Sequence, residues 1–503
     1  MLEPENIRRM GLTLSGLVVV ALPVAALDAE DVLNYRWGKL TVKPQLDITS
    51  VFTDNVFYGN NSILAALPAS PTEYLSTNAV AVSIGGTNNF ILRGPGPDSG
   101  TLVTNGLPVI SRSAEHDVLM TISPGARFAY GYSDANHFSL EYTFDKIFYT
   151  EHPQYNTDQQ SFLFDTSLAA SHWKLKGSDQ MRFLSSFLGG GYFSTAAQQV
   201  NRREWVDDYR FDYEISPKTY AYVEGNHYNQ DYDKGLNIYD ADTLRGSLGG
   251  GYNLSDLVSV FLEGYYGQTA VAPNIDTQPK GPHSTVIGGF VGLKGDFTAR
   301  ITGSVKVGYE TRMFPESAGG GSSSASSPAV EVKLTYAPSL KTQLSLSYSR
   351  RTDVSQQFVR QALTYDNIGL TALQTIGTSG RWFVQFAANY TSTETGDLQS
   401  QFFVRDLNAS GVPNNFVEVP DYATGNVYLV EQYKAVTGNI GRTDTQITIG
   451  PTLVYQPRPW LQASLGYQFT HFSSSYRDAQ YASTHPLIPY DANEVTLRVS
   501  IGF

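Results

Sequence analysis

Cysteine is absent from the 503 residues of the chain. This absence excludes disulfides, thiolate nucleophiles and cysteine-based zinc sites. A basic excess is missing as well, because the formal net charge is −12. Proteins that neutralise nucleic-acid phosphates need a basic surface, so we expect no nucleic-acid partner.

Long hydrophobic runs are also missing, with one exception. After residue 26 no apolar stretch reaches 18 residues, so helices that cross a bilayer are not expected. The exception is the run 11–26, which follows two arginines and ends in small residues. It is shorter than the roughly 20 residues that a spanning helix needs. We therefore predict a signal peptide over residues 1–26, followed by a periplasmic segment over 27–38.

Most of the remaining chain alternates apolar and polar residues. Clear examples lie at residues 117–144, 330–336, 382–390, 447–455 and 461–469. A period of two predicts strands with one apolar and one polar face. Many of these segments run for about 10 to 14 residues, which is long enough to cross a membrane at a tilt.

The connections between these predicted strands alternate between short and long. Short ones, such as 133–136 and 456–459, contain turn residues. Long ones include 54–116 and 392–443. Short turns at one end and long loops at the other are typical of outer-membrane barrels. We therefore predict an all-β, transmembrane, antiparallel up-and-down β-barrel over residues 39–503, with about 18 strands (16–20), short periplasmic turns and long extracellular loops.

The motif Tyr-x-x-Ser recurs at intervals close to multiples of about 41 residues. Its copies are Tyr130-Ser133, Tyr213-Ser216, Tyr252-Ser255 and Tyr336-Ser339. One unit corresponds to one hairpin plus its long loop. Each tyrosine has outward parity just before a short turn. This fixed place favours an aromatic girdle at the lipid headgroups over the general preference of tyrosine for strands.

The last stretch, EVTLRVSIGF, carries apolar residues at alternate positions. These are Val495, Leu497, Val499, Ile501 and Phe503. The stretch resembles the final strand of bacterial outer-membrane barrels, which implies recognition by the barrel assembly machinery. We expect this strand to pair with the first one, near residues 39–53, because closure leaves no unpaired edge in the bilayer.

Two further stretches carry a narrower resemblance. VKPQLDITSVFTDNVF at 42–57 and the segment 117–144 resemble the β-barrel porins often found near exopolysaccharide loci. The resemblance implies a Gram-negative-type outer membrane as the location and outer-membrane lipid as the surroundings. It also implies small solutes or polysaccharide as partners.

Inward parity selects the charged residues that would line the lumen. The predicted strands 6 to 9 carry mainly acids, and strands 10 to 13 carry mainly bases. One hypothesis is an electric field across the pore that orients polar solutes. The other is that these charges pair across strands and keep the wall wetted. The pore-lining candidates are Arg210, Glu224, Arg245, Glu263, Arg300, Lys306, Glu310, Arg312, Glu331 and Lys333.

Three tyrosines are candidates for lining the lumen and stacking on sugars. They are Tyr220, Tyr222 and Tyr265. The parity of the seventh strand is open at this point, because Ala221 and Val223 are equally suited to face lipid.

Two long loops contain apolar segments. Within 54–116, residues 79–92 are apolar enough to fold inward as a constriction or to form an external hairpin. Within 392–443, residues 416–430 suit an extra hairpin, which would raise the strand number to 20.

These patterns together predict a porin-like outer-membrane channel for small polar or sugar-type solutes. Two alternatives stay open: a portal or accessory barrel for exopolysaccharide export, and a structural or adhesive barrel that acts through its surface loops. No HExxH, GxSxG or P-loop motif stands out, so we expect no enzyme, no cofactor and no bound metal. A hydrolase on the barrel rim that uses Asp231 and His227 is the remaining enzymatic alternative.

Overall fold

The computed structural model describes backbone and side chains over most of residues 33–57, 114–133, 135–187, 199–233, 239–272, 283–314, 323–354, 362–395, 441–476 and 489–502. It describes the backbone alone for short strands within 79–103 and 399–439. The predicted signal peptide, residues 1–26, and the last residue of the predicted assembly signal, Phe503, lie outside the described residues.

Eighteen long strands form one closed sheet, and we number them β1 to β18 in chain order. Each pairs antiparallel with its neighbour along the chain. They are Leu40–Thr53, Asp117–Ser133, Asn136–Tyr149, Thr157–Ala169, Trp173–Phe187, Gln199–Ser216, Thr219–Tyr232, Asp240–Asn253, Val258–Ala272, Ser284–Thr298, Ile301–Phe314, Ser323–Ser339, Thr342–Val354, Ala362–Ile376, Trp382–Thr395, Arg442–Arg458, Leu461–Tyr476 and Tyr490–Ile501.

The sheet closes where the last strand meets the first. Residues 494–501 of β18 pair antiparallel with residues 46–53 of β1. A three-residue strand, Tyr35–Trp37, pairs with the start of β1. The predicted antiparallel barrel of about 18 strands is therefore confirmed, as is its closure through the final strand. No helix in the described part of the chain is long and apolar enough to span a bilayer.

The short turns owe their shape to the serine of the repeated motif or to a threonine in its place. Ser216 Oγ accepts the backbone N–H of Thr219 at 3.1 Å, and Ser255 Oγ accepts that of Val258 at 3.1 Å. Thr298 accepts in the same way after β10. A hydroxyl that satisfies a turn N–H stabilises the turn over extended backbone. The Tyr-x-x-Ser spacing thus combines an outward aromatic residue with the residue that reverses the chain.

The outer wall of the barrel carries an apolar band. On β8 and β9, Leu244, Leu248 and Leu262 are 60 to 68% exposed, whereas Ser247 and Glu263, at the alternate positions, are buried on the inner side. Tyrosines such as Tyr213 and Tyr252 stand exposed at the short-turn end. An exposed apolar surface of this extent is typical of a face that contacts a membrane or another protein.

Outward-facing ion pairs bound this band at the long-loop end. Examples are Lys146–Asp158 at 2.6 Å, Arg350–Asp366 at 3.2 Å and His471–Asp491 at 2.7 Å. Counted along their strands, Lys146 and His471 lie ten residues from the short-turn end. Ten residues of a strand tilted at about 40° rise by about 25 Å, which is the height of the apolar band in membrane barrels.

The loops hold further strands that stay outside the barrel sheet. Residues 416–421 pair with 426–431, as the sequence predicts for this hairpin. Because β15 pairs directly with β16, the hairpin adds no strand to the barrel, and the possible count of 20 is wrong. In the first long loop, residues 79–84 pair with 87–92 in a separate sheet.

Candidate functional site

The inner wall from β6 to β13 holds the predicted lumen residues. Strand register places the side chains of every pore-lining candidate except Arg300 on the inward face. For example, Arg210 lies opposite Glu224 and Lys306 lies opposite Glu331. Arg300 is a correction: it lies in the turn between β10 and β11, not on the wall. The turn starts at Thr298, whose hydroxyl accepts the N–H of Arg300 at 3.2 Å.

The parity of β7 is now decided. Val223 is 54% exposed on the outer wall, whereas Tyr222 is 2% exposed on the inner one. Tyr220 lies on the same side as Tyr222, and their rings stack with centroids 6.4 Å apart. Tyr265 on β9 also faces inward and is 5% exposed. All three predicted lumen tyrosines therefore lie on the lumen side.

A first stacked unit spans β6 to β9 and consists of Arg210, Tyr222, Gly249 and Glu263. The guanidinium carbon of Arg210 lies 3.8 Å from the ring centroid of Tyr222. On its other side this ring lies against Gly249, where an added Cβ would be 2.2 Å from the ring. The hydroxyl of Tyr222 donates to Glu263 at 2.6 Å. The unit is thus a layer of cation, ring and glycine, with a carboxylate at the end of the ring.

A second stacked unit repeats this arrangement two strands further on. Arg245 lies 3.8 Å from the ring centroid of Tyr265, the ring lies over Gly288, and the hydroxyl donates to Glu310 at 2.6 Å. The matching residues are separated by 35, 43, 39 and 47 residues. These separations scatter around the hairpin repeat of about 41 residues. The lumen wall thus carries the same internal repeat as the turns.

These layers leave no free tyrosine face in either stacked unit. Tyr222 and Tyr265 are covered by glycine on one side and by arginine on the other. Tyr220 lies between Gly251 and the ammonium of Lys294, which is 4.2 Å from its ring centroid. Sugar stacking on these three rings would require the cations to move. A passing solute meets the cations first.

The lumen charges pair both within the predicted acidic and basic sectors and across the border between them. The Lys306 ammonium lies 3.3 Å from Glu263 and 3.2 Å from Glu331. Arg210 lies 3.1 Å from Glu224. For these residues the pairing favours the hypothesis that the charges pair across strands and keep the wall wetted over that of an electric field across the pore. Paired charges of opposite sign cancel most of each other's field.

The long-loop end of the lumen is narrowed by β13. Its pairing with β12 ends at Arg350, while its pairing with β14 continues to Val354. The buried guanidinium of Arg312 donates to Ser284 at 2.9 Å and to the carbonyl of Thr352 at 3.0 Å. The N–H of Thr352 in turn donates to Glu310. We call residues 351–354 the overhang, because these bonds hold them over β11.

A cavity of about 710 Å³ lies between the overhang and the wall formed by β6 to β11. Its lining combines tyrosine rings with amides and charged groups, among them Tyr228, Asn226, Asp208, Arg351 and Asp353. A volume of this size is within the range of small-molecule sites. Sequence parity alone gave no signal for the overhang, because a change of strand direction leaves the alternation intact.

The rim residues do not form the catalytic pair considered from the sequence. His227 bonds to Asp207 at 2.9 Å and lies 3.4 Å from Asp242, whereas Asp231 pairs with Arg203. Over the described ranges, no group of three or more histidine, aspartate and glutamate side chains is placed to hold a metal ion.

Part of the chain matches one protein family. Residues 152–357 match the family described as "Protein of unknown function, DUF481". This stretch contains β4 to β13 and both stacked units. No curated protein matches the chain significantly.

Solved structures that resemble the chain share little sequence with it. Pseudomonas aeruginosa OpdO is 9% identical, with a TM-score of 0.38 over 92% of this chain and 97% of that one. P. aeruginosa OccK2 (OpdF), solved in complex with glucuronate, is 8% identical, with a TM-score of 0.37 over 92% and 98%. The FrpB iron transporter from Neisseria meningitidis (F5-1 variant) is 10% identical, with a TM-score of 0.38 over 95% and 84%. At these values the similarities assign no solute.

Proposed function

We propose that the chain is an outer-membrane channel through which small polar solutes diffuse. The observation that carries the proposal is the division of one closed sheet into an apolar outer band and a charged inner wall. An apolar band about 25 Å high matches the lipid-facing surface of outer-membrane barrels. Charged and amide side chains on the inner wall keep a water-filled path favourable.

The proposal commits to polar solutes rather than to stacked sugars. The rings of Tyr222 and Tyr265 are covered by arginines, so the inner wall offers charges and hydrogen bonds. An exopolysaccharide portal and an adhesive barrel, both expected as alternatives from the sequence, stay predictions.

Two measurements on the purified protein test this function. In planar bilayers we expect stepwise, ohmic conductance, and in liposomes we expect swelling in isotonic galactose. Liposomes prepared with detergent alone are the control. A barrel that inserts but neither conducts nor admits galactose would contradict the channel and favour a structural or adhesive role. Separation of inner and outer membranes, followed by detection of the protein, tests the location.

A further inference from the structure

A smaller cavity of about 320 Å³ lies in the inner wall, at the first stacked unit. Three cations line it: Arg210, Lys294 and Lys306. Two carboxylates line it as well, those of Asp212 and Glu263. The cations thus outnumber the carboxylates at this cavity.

Lys294 is the cation that lacks a carboxylate partner among the described residues. Its ammonium lies 4.2 Å from the ring centroid of Tyr220 and 5.9 Å from that of Phe261. Arg210 and Lys306, in contrast, each contact two carboxylates. Aromatic faces stabilise a cation only in part, so the charge of Lys294 is left to water or to a solute.

The two carboxylates at the cavity are already engaged. Asp212 accepts from Arg210 at 2.9 and 3.1 Å. Glu263 accepts the hydroxyl of Tyr222 at 2.6 Å and the ammonium of Lys306 at 3.3 Å. A turn of either carboxylate toward Lys294 would break these charge-assisted bonds in a half-buried site, which is costly.

A hydrogen-bond donor lies directly beside Lys294. Strand register places Ser304 of β11 opposite Lys294 of β10, and both side chains line the cavity. An ammonium and a hydroxyl side by side suit an anionic oxygen, because both donate to it.

We propose that this cavity is an anion-binding subsite of the lumen, which takes the carboxylate or phosphate group of a small polar solute. Lys294 is the main contact, and Ser304 adds a hydrogen bond. The ring of Tyr220 lies against the ammonium of Lys294 and restricts its movement. The lysine side chain therefore loses little conformational freedom when an anion binds. The claim that anionic solutes pass this subsite during transport rests on the proposed channel. The claim that the cavity binds anions does not.

Equilibrium binding tests the subsite without any need for an open pore. We expect the purified barrel to bind galacturonate or inorganic phosphate in titration calorimetry, and galactose much more weakly. Loss of one charge-assisted contact in Lys294→Gln is expected to weaken anion binding about tenfold. Lys294→Arg should restore most of it. The matched control is Lys333→Gln, which removes a lumen lysine that does not line the cavity.

Liposome swelling then tests the subsite in transport. Lys294→Gln should slow the entry of galacturonate and glucose 6-phosphate and leave galactose entry unchanged. An equal loss in Lys333→Gln, or unchanged anion binding in Lys294→Gln, would overturn the subsite. Entry of none of the three sugars into wild-type liposomes would refute the channel, while a Lys294-dependent binding signal would still support the subsite. Comparison of galacturonate with glucose 6-phosphate shows whether the subsite prefers a carboxylate or a phosphate group.

Discussion

At the scale of single residues, glycines determine the orientation of the lumen tyrosine rings. The ring of Tyr222 lies flat because Gly249 on the next strand has no side chain in its way. Tyr265 has the same relation to Gly288. A flat ring presents its face to the lumen, and that face carries the arginine. Each glycine therefore positions the arginine on the far side of the tyrosine ring.

Replacement of Gly249 by alanine should disturb this layer. The new Cβ would lie 2.2 Å from Tyr222, so the ring must move and the bond to Glu263 must stretch. We expect a loss of about 1–3 kcal/mol in unfolding free energy, measured by urea unfolding in vesicles with tryptophan fluorescence. Gly246→Ala is the control, because no atom lies within 4 Å of its added Cβ. Equal losses in both variants would contradict this role of Gly249.

His152 holds a loop at the long-loop end through two carboxylates. Its ring nitrogens lie 2.9 Å from Asp117 and 2.8 Å from Glu115, and its ring meets Phe57 edge-on at 4.9 Å. Burial disfavours the charged imidazolium, but the bonds to the two carboxylates outweigh it. The pKa of His152 is therefore raised above its ordinary value of 6.5.

This raised pKa predicts that the loop loosens as pH rises. The stabilisation is complete below pH 6.5, the unfolded pKa, and is lost as pH rises through the higher folded pKa. Cleavage by chymotrypsin after Tyr155 should therefore be faster at pH 9 than at pH 6, after correction for the enzyme's own pH profile. His152→Gln should be cleaved at a rate nearly independent of pH. A wild-type rate that does not change with pH would refute this assignment.

At the scale of strands, the overhang shows how one element can end outside the regular sheet. Beyond Arg350, β13 keeps only β14 as a partner. Arg312 and Glu310 on β11 supply the bonds that β12 no longer provides. Val354 packs with Tyr239, Val271 and Phe314 in a buried cluster. The bonds from Arg312 and Glu310, together with this apolar cluster, hold the overhang at the long-loop end of the lumen.

Removal of the bonds that Arg312 makes should widen the lumen at the overhang. In Arg312→Ala the guanidinium bonds to Ser284 and Thr352 are lost, which we expect to cost about 1–3 kcal/mol and to raise single-channel conductance. Arg351→Ala is a suitable control, because Arg351 lines the same cavity and is half exposed. If both variants conduct like the wild type, the overhang does not limit the current.

Strands are also the scale at which sequence reasoning worked best and failed most clearly. Alternation and turn residues located the strands from local pattern alone. The hairpin at 416–431 was predicted correctly as a hairpin. Its position outside the barrel sheet depends on the pairing of β15 with β16, which no local pattern reports. Arg300 was misplaced because parity was extended through a turn.

At the scale of the whole molecule, the proposed membrane location makes a prediction about the outer wall. Leu248 and Leu254 are exposed to a similar degree, 65% and 61%. Leu248 lies on the outer wall between Tyr252 and the rim residue Asp242, whereas Leu254 lies in the following short turn. If both side chains were exposed to water, an arginine would have a similar effect at either position. In a membrane the effects differ, because only Leu248 would contact lipid hydrocarbon.

Arginine at these two positions therefore tests the membrane band. Leu248→Arg places a charge near the middle of the band and should cost about 2–4 kcal/mol, measured by reversible urea unfolding in lipid vesicles. Leu254→Arg should cost at most about 1 kcal/mol, because the turn lies in the headgroup region or in water. Equal costs would show that Leu248 does not face hydrocarbon.

The sequence by itself determined that the chain is a closed barrel of about 18 strands with short turns at one end. Period two, turn residues and the hairpin repeat are local properties, so they survive without knowledge of contacts. Tertiary structure alone decided that Arg210 covers Tyr222, that Lys294 lies against Tyr220 rather than against a carboxylate of the described residues, and that residues 351–354 of β13 lie over β11. These contacts depend on the register between strands up to several hairpins apart, and a slip of one residue would turn every side chain to the other face.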